Sequence, residues 1–189
     1  MTSLREALAV LGDVLEDRGL THDLVVVGGG ALLLKGLIDR PTQDLDVIAR
    51  VQDNAWIVAE PMPPDLLEAV KDVAVVLELA PDWLNAGPTS LFEGGLPHGF
   101  PDRAEMYRFA SLTVRVAARV DQIAFKLYAA ADHWPLRGKH LQDLQMLNPT
   151  SMELVKSARG CTTHDPASGF RDVQLAPVLA LFSVEVRDV

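Results

Sequence analysis

The chain has 189 residues, with 17 Lys and Arg against 26 Asp and Glu, a formal net charge of −9, and 49% apolar residues. That length and apolar share support one domain, or one with a helical annex, around a sizeable core. The acidic balance argues against a general nucleic-acid surface, which draws on many Lys and Arg contacts to phosphate.

The elements follow in chain order. Ser3-x-x-Glu6 has the form of a capping box. Leu4, Leu8, Leu11 and Leu15 recur at helical spacing with Arg5, Glu6, Asp13 and Glu16 between them. This is an amphipathic helix rather than a signal peptide, and Gly19 is placed to stop it. Val25-Val26-Val27-Gly28-Gly29-Gly30-Ala31 then predicts a strand over 23–28, a glycine turn and a helix over 30–38. Arg40-Pro41-Thr42-Gln43-Asp44-Leu45-Asp46-Val47 leads into a second strand, over 43–49.

Pro61, Pro63 and Pro64 break the chain before a helix through Asp65–Leu79, with Leu66, Val70, Val73, Ala74 and Leu77 as its buried stripe. The run from Pro81 to Asp102, with Gly94-Gly95, Pro97 and Gly99, reads as a long loop and a candidate lid. Ser111–Ala117 alternates as a half-buried strand. Helices are expected over 121–132, 138–147, 150–160 and about 169–183, separated by Pro135, Pro149 and the Asp165-Pro166 turn. No repeat, low-complexity tract or run near the roughly 20 apolar residues of a membrane span is present. The single cysteine, Cys161, leaves no intramolecular disulfide or zinc constellation, which fits a reducing cytoplasm.

Chemistry concentrates at the two aspartates. Side chains alternate across a strand, so Asp44 and Asp46 project from one face while Leu45 and Val47 point to the core. Such a pair can chelate a hard cation such as Mg2+, whose shell is usually completed by water and substrate phosphates. It can also be a solvated edge. Gly28, Gly29 and Gly30 let backbone approach phosphate closely, and the helix after them turns N–H groups toward an anion. Together the two halves have the layout of a site for a metal-bound nucleoside triphosphate.

This arrangement resembles the nucleotidyltransferases of the DNA polymerase β superfamily, particularly the small bacterial branch that includes toxin-like enzymes. The family pattern is a hydrophobic residue, Gly-Gly or Gly-Ser, about nine to thirteen residues, then Asp-x-Asp. Thirteen residues separate Gly29-Gly30 from Asp44 and fourteen separate Gly28-Gly29 from it, so the register of the turn is open by one. Asp121-Gln122-Ile123-Ala124-Phe125-Lys126-Leu127 and Arg137-Gly138-Lys139-His140-Leu141-Gln142-Asp143-Leu144 look like the basic-acidic helical segment that closes many small members. Asp82-Trp83-Leu84-Asn85 is similar to an element of an actinobacterial-type subgroup.

The resemblance implies an α/β (α+β) fold: a small mixed nucleotidyltransferase-type sheet flanked by helices over 1–120, with a helical portion over 121–189 packed on it. It also implies transfer of a nucleoside monophosphate from a triphosphate to a hydroxyl, with Mg2+ or Mn2+ at Asp44 and Asp46. The acceptor would be an RNA end or a protein, and a partner antitoxin is implied for toxin-like members. Arg40 and Thr42 would orient the aspartates or phosphate.

Two-metal transfer usually takes a third acid from a neighbouring strand. The strand at 111–117 contains none, leaving Asp121, just beyond it, or Glu78. Arg103, Arg108, Arg115, Arg119, Lys126, Arg137 and Lys139 concentrate basic charge, either beside the triphosphate and acceptor or as solvated helix faces. Lys126 would neutralise triphosphate charge or snorkel from an apolar helix. Lys139 and His140 would touch nucleotide or acceptor. Trp83 and Trp134 read as packing residues. Two other readings stay open: a non-catalytic nucleotide-binding or protein-interaction module, favoured by the absent strand acid, and a small-molecule (antibiotic) adenylyltransferase.

Overall fold

A computed structural model describes residues 3–42, 44–87 and 89–189. Gln43, where the second strand was expected to begin, and Pro88, within the expected loop, lie outside the described residues. The fold is mixed α/β, and the chain forms two compact units, Met1–Ala117 and Ala118–Val189.

The first unit opens with α1 (Leu4–Asp17), whose capping box is complete: Glu6 N–H donates to Ser3 Oγ, and the Glu6 carboxylate takes the Ser3 N–H. Past its end Gly19 adopts φ +67°. β1 (His22–Val27) runs into α2 (Gly28–Leu34), and β2 (Leu45–Gln52) returns antiparallel to β1. A tight turn at Asp53 and Asn54, both at positive φ, joins β2 to β3 (Ala55–Val58). α3 (Pro64–Leu77) starts with Pro64 in its first turn, where a missing N–H costs nothing. It ends at Glu78 in the left-handed region, φ +54°.

β4 (Leu84–Asn85) lies parallel beside β2. α4 (Ser90–Glu93) and α5 (Phe100–Arg103) precede the hairpin of β5 (Glu105–Phe109) and β6 (Leu112–Val116). The sheet order is β3-β2-β1-β6-β5, with β1 and β6 parallel and β4 on β2. Leu24 and Val26 of β1, Leu45 and Val47 of β2, and Leu112, Val114 and Val116 of β6 face one core. α1 contributes Ala7, Leu8, Leu11 and Leu15 to it, and α3 contributes Leu66, Ala69, Val70, Val73 and Ala74. Each fully buried leucine stabilises by about 1.5–3 kcal/mol, which fixes the side of the sheet the helices cover.

The second unit contains α6 (Arg119–Asp132), α7 (Lys139–Met146) and α8 (Ser151–His164). A π-helical stretch over Phe170–Leu175 continues into α9 (Ala176–Ala180), and a 3-10 turn spans Val186–Asp188. α8 opens with a second capping box, Thr150 with Glu153. Among the described residues no helix is long and apolar enough to cross a membrane.

Several expected bounds shift. The helix expected over 30–38 begins at Gly28, because the glycines form its first turn rather than a loop before it. The expected second strand begins at Leu45, so Asp44 precedes it. The run 81–102 is not one loop. Trp83, 1% exposed, donates from its indole to the Val70 carbonyl at 3.1 Å, and Phe100, fully buried, meets Trp56 edge-on with ring centroids 5.3 Å apart. β3 and β5 were not expected, and the single helix expected over 169–183 is the π-helical stretch followed by α9.

Candidate functional site

The site is assembled where β1 ends. Val27 is still extended, with φ −135° and ψ −172°, and Gly28 then takes φ +81°, a conformation that costs an L side chain roughly 1–2 kcal/mol. Space demands glycine as well. A Cβ at Gly28 would lie far inside contact distance of Asp46 Oδ2, so the Asp46 carboxylate sits directly on the Gly28 backbone.

Gly29 receives the segment that follows α2. A Cβ there would meet Arg40 Nη2 at 2.9 Å and Thr42 Oγ1 at 3.1 Å. The Thr42 hydroxyl donates to Asp44 Oδ1 at 2.9 Å. At Gly30 a Cβ would stand 2.5 Å from the Asp44 carbonyl oxygen and 2.9 Å from Leu45 Cδ1. Each glycine thus admits a different part of the Arg40–Asp46 segment, and it is Gly28 and Gly29 that touch the polar side chains. Arg40, Thr42, Asp44 and Asp46 are all partly exposed. The Asp44 and Asp46 carboxylates and the Thr42 hydroxyl are hard oxygen donors, the type suited to Mg2+ or Mn2+.

Strand pairing defines what flanks Asp46. On one side its Cα partner is Val27 of β1, and on the other Asn85 of β4. In-register residues of neighbouring strands share a face, so Asn85 stands on the aspartate side. Its amide is engaged within its own turn, with Oδ1 accepting from Gly87 N–H at 2.8 Å. The Trp83-Leu84-Asn85 resemblance was the available signal for this neighbour, although it carried no assigned place.

Beyond β1 lies β6, parallel, with Val26 opposite Val116 and the Ala117 N–H donating to the Val26 carbonyl at 3.2 Å. No residue of β6 is acidic. Its Arg115 is clamped to Asp23 of β1, with Nε 2.9 Å from Oδ1 and Nη2 2.8 Å from Oδ2. That hydrogen bond raises the Arg115 pKa. Glu78 lies outside the sheet as the exposed cap of α3. Among the described residues, no group of three or more His, Cys, Asp or Glu side chains is arranged to hold a metal ion.

Most of the remaining expected residues belong to the second unit. Asp121, in the first turn of α6, is 1% exposed. Lys126 of α6 and Asp143 of α7 form a buried pair, Nζ to Oδ2 2.7 Å. Lys139 is exposed at the start of α7, and His140 beside it is half-buried with its ring 5.0 Å from that of His133. Burial first, then the positive charges of Lys126, His133 and Lys139, lower the His140 pKa to about 4. Other basic groups are bound into the structure: Arg119 donates to Glu153 Oε1 at 2.6 Å and to the Leu147 carbonyl, and Arg103 donates to the His98 carbonyl at 2.8 Å. Arg137 lies over the Trp134 ring, 5.7 Å from its centroid.

The sequence profile of a family described as "Nucleotidyltransferase of unknown function (DUF6036)" matches residues 3–158. Among curated proteins, none matches the chain.

Proposed function

The chain belongs to this family of nucleotidyltransferases, and from that premise we propose that it moves a nucleoside monophosphate from a nucleoside triphosphate to a hydroxyl acceptor, using Mg2+ or Mn2+. One observation carries the reading: the Asp46 carboxylate rests on Gly28 while Thr42, bonded to Asp44, rests on Gly29. Carboxylate, hydroxyl and guanidinium groups thereby gather on the glycine turn. Asp44 and Asp46 would hold the cation, which when bound offsets negative charge on the triphosphate.

The chain's own residues do the positioning. Gly28 and Gly29, without side chains, leave room for the Asp46 carboxylate at one and for Arg40 and Thr42 at the other. Arg40 supplies a positive group beside Gly29, and Thr42 fixes one carboxylate oxygen of Asp44. The acceptor oxygen forms a bond to the α-phosphorus as the bond to pyrophosphate breaks in line, and the hydroxyl proton passes to solvent. Positioning and electrostatics account for most of the rate in such a transfer. The acceptor class that best fits the toxin-like resemblance is an RNA end or a protein hydroxyl.

A second reading is favoured by β6, which lacks an acid: a nucleotide-binding module without transfer chemistry. Pyrophosphate release separates the two. The full chain is incubated with each ribonucleoside triphosphate, Mg2+ or Mn2+, and total RNA or lysate protein as acceptor. Release that is lost in Asp44→Asn/Asp46→Asn supports transfer. Nucleotide binding without release, across all acceptors, supports the module.

A further inference from the structure

Nucleotidyl transfer by two cations needs oxygen ligands for both, one beside the triphosphate and one beside the attacking hydroxyl. The sheet register sets which residues of neighbouring strands stand level with Asp46. On the face opposite the α1–α3 core, Asp46 has Val27 on one side and Asn85 on the other. Continuing the β1–β6 register by one residue past Val26 and Val116 sets Ala117 beside Val27, level with Asp46. At the usual strand spacing that is roughly 10 Å from Asp46, two strands across. Two residues back, the same face of β6 carries Arg115, whose guanidinium is committed to Asp23.

The positions that flank Asp46 in the sheet are therefore valine and asparagine, the level position two strands across is alanine, and the nearest charged group on β6 is a cation. Asn85 is an uncharged amide whose oxygen accepts from the Gly87 N–H, so it adds no carboxylate. We infer that the sheet of this chain supplies carboxylates for one divalent cation, at Asp44 and Asp46, and that the place of a second carboxylate set is filled by Ala117. The inference rests on the proposed reading of Asp44 and Asp46 as cation ligands. It assigns the bound cation to the triphosphate, since Mg2+ is commonly held by one or two carboxylates together with substrate phosphates.

The test counts cations rather than turnover. Mn2+ binding to the full chain is measured by electron paramagnetic resonance with the α,β-methylene analogue of each ribonucleoside triphosphate, which cannot be cleaved at the reacting bond. The expected result is one bound Mn2+ per chain, lost in Asp44→Asn/Asp46→Asn. Two bound Mn2+ overturn the inference while leaving the reading intact, and loss of only the second in Asp121→Asn would trace it to α6. No bound Mn2+ with any analogue overturns the reading itself, and the inference with it. An Ala117→Asp variant that remains folded should gain a second Mn2+. An unchanged count in that folded variant overturns the assignment of Ala117 to the missing position.

Discussion

The Thr42 hydroxyl donates to Asp44 Oδ1 at 2.9 Å while its oxygen lies 3.1 Å from where a Cβ of Gly29 would be. The hydroxyl therefore holds one oxygen of Asp44, and it can do so only because residue 29 has no side chain. Thr42→Val keeps the shape and removes the donor. Loss of a hydrogen bond to a charged group costs about 1.5–3 kcal/mol, so Mn2+ affinity should fall by roughly ten- to a hundred-fold. Thr42→Ser should restore it. Calorimetric titration of the three proteins checks this, and equal affinity in all of them would remove Thr42 from the site.

Gly28→Ala should damage the site more than the fold. The left-handed backbone costs roughly 1–2 kcal/mol, and the added methyl must in addition displace the Asp46 carboxylate. Gly36→Ala is the matched comparison, because Gly36 also has positive φ, +66°, but nothing lies within 4 Å of its would-be Cβ. Both variants should lose stability in denaturant unfolding, with the larger loss of metal-dependent nucleotide binding in Gly28→Ala alone.

Lys126 and Asp143 are almost wholly buried and 2.7 Å apart. Removing one partner strands a charge in the interior, at a cost of about 3–5 kcal/mol. Lys126→Met or Asp143→Leu should each lower the unfolding midpoint sharply, and the double substitution should recover much of the loss. A double variant no better than the worse single one would mean that the ion pair is not the main term.

His140 gives the second unit an acid-sensitive element. Its pKa falls from about 6.5 in the unfolded chain to about 4 in the folded one, chiefly through burial. The unfolded state then binds more protons between those values, so stability rises with pH there. The contribution is fully present above about 6.5 and is lost as pH falls toward 4. Unfolding free energy measured from pH 7 to 4 should decline less steeply in His140→Gln than in the parent chain.

How far the sequence could be read depended on how local the determining physics was. Leu45 and Val47 are in the core, as period-two alternation along the strand requires, whereas Asp44 precedes the strand and its place is set by Thr42 rather than by alternation. The helix starts at Ser3 and Thr150 depend on contacts within four residues. By contrast β3 and β5 are edge strands with few buried residues, stabilised by pairing to β2 and β6 rather than by a hydrophobic pattern of their own. The Asp23–Arg115 clamp joins residues 92 apart and arises only from parallel register. The place of Asn85 beside Asp46 likewise needed the β4–β2 pairing, although its three-residue motif was visible.

The seat of Asp46 on bare backbone has a corollary for substitution. The Asp46 carboxylate occupies the space a side chain at Gly28 would need, so the gap is a gauge of side-chain length rather than of charge. Glutamate has the same chemistry and one methylene more; at position 46 it would be forced to turn away from the glycine, carrying its oxygens off the place the aspartate holds. The ordinarily conservative exchange of one acid for the other is, at this one strand position, the disruptive one, whereas Asn, which fits the gauge without the charge, should leave the geometry standing.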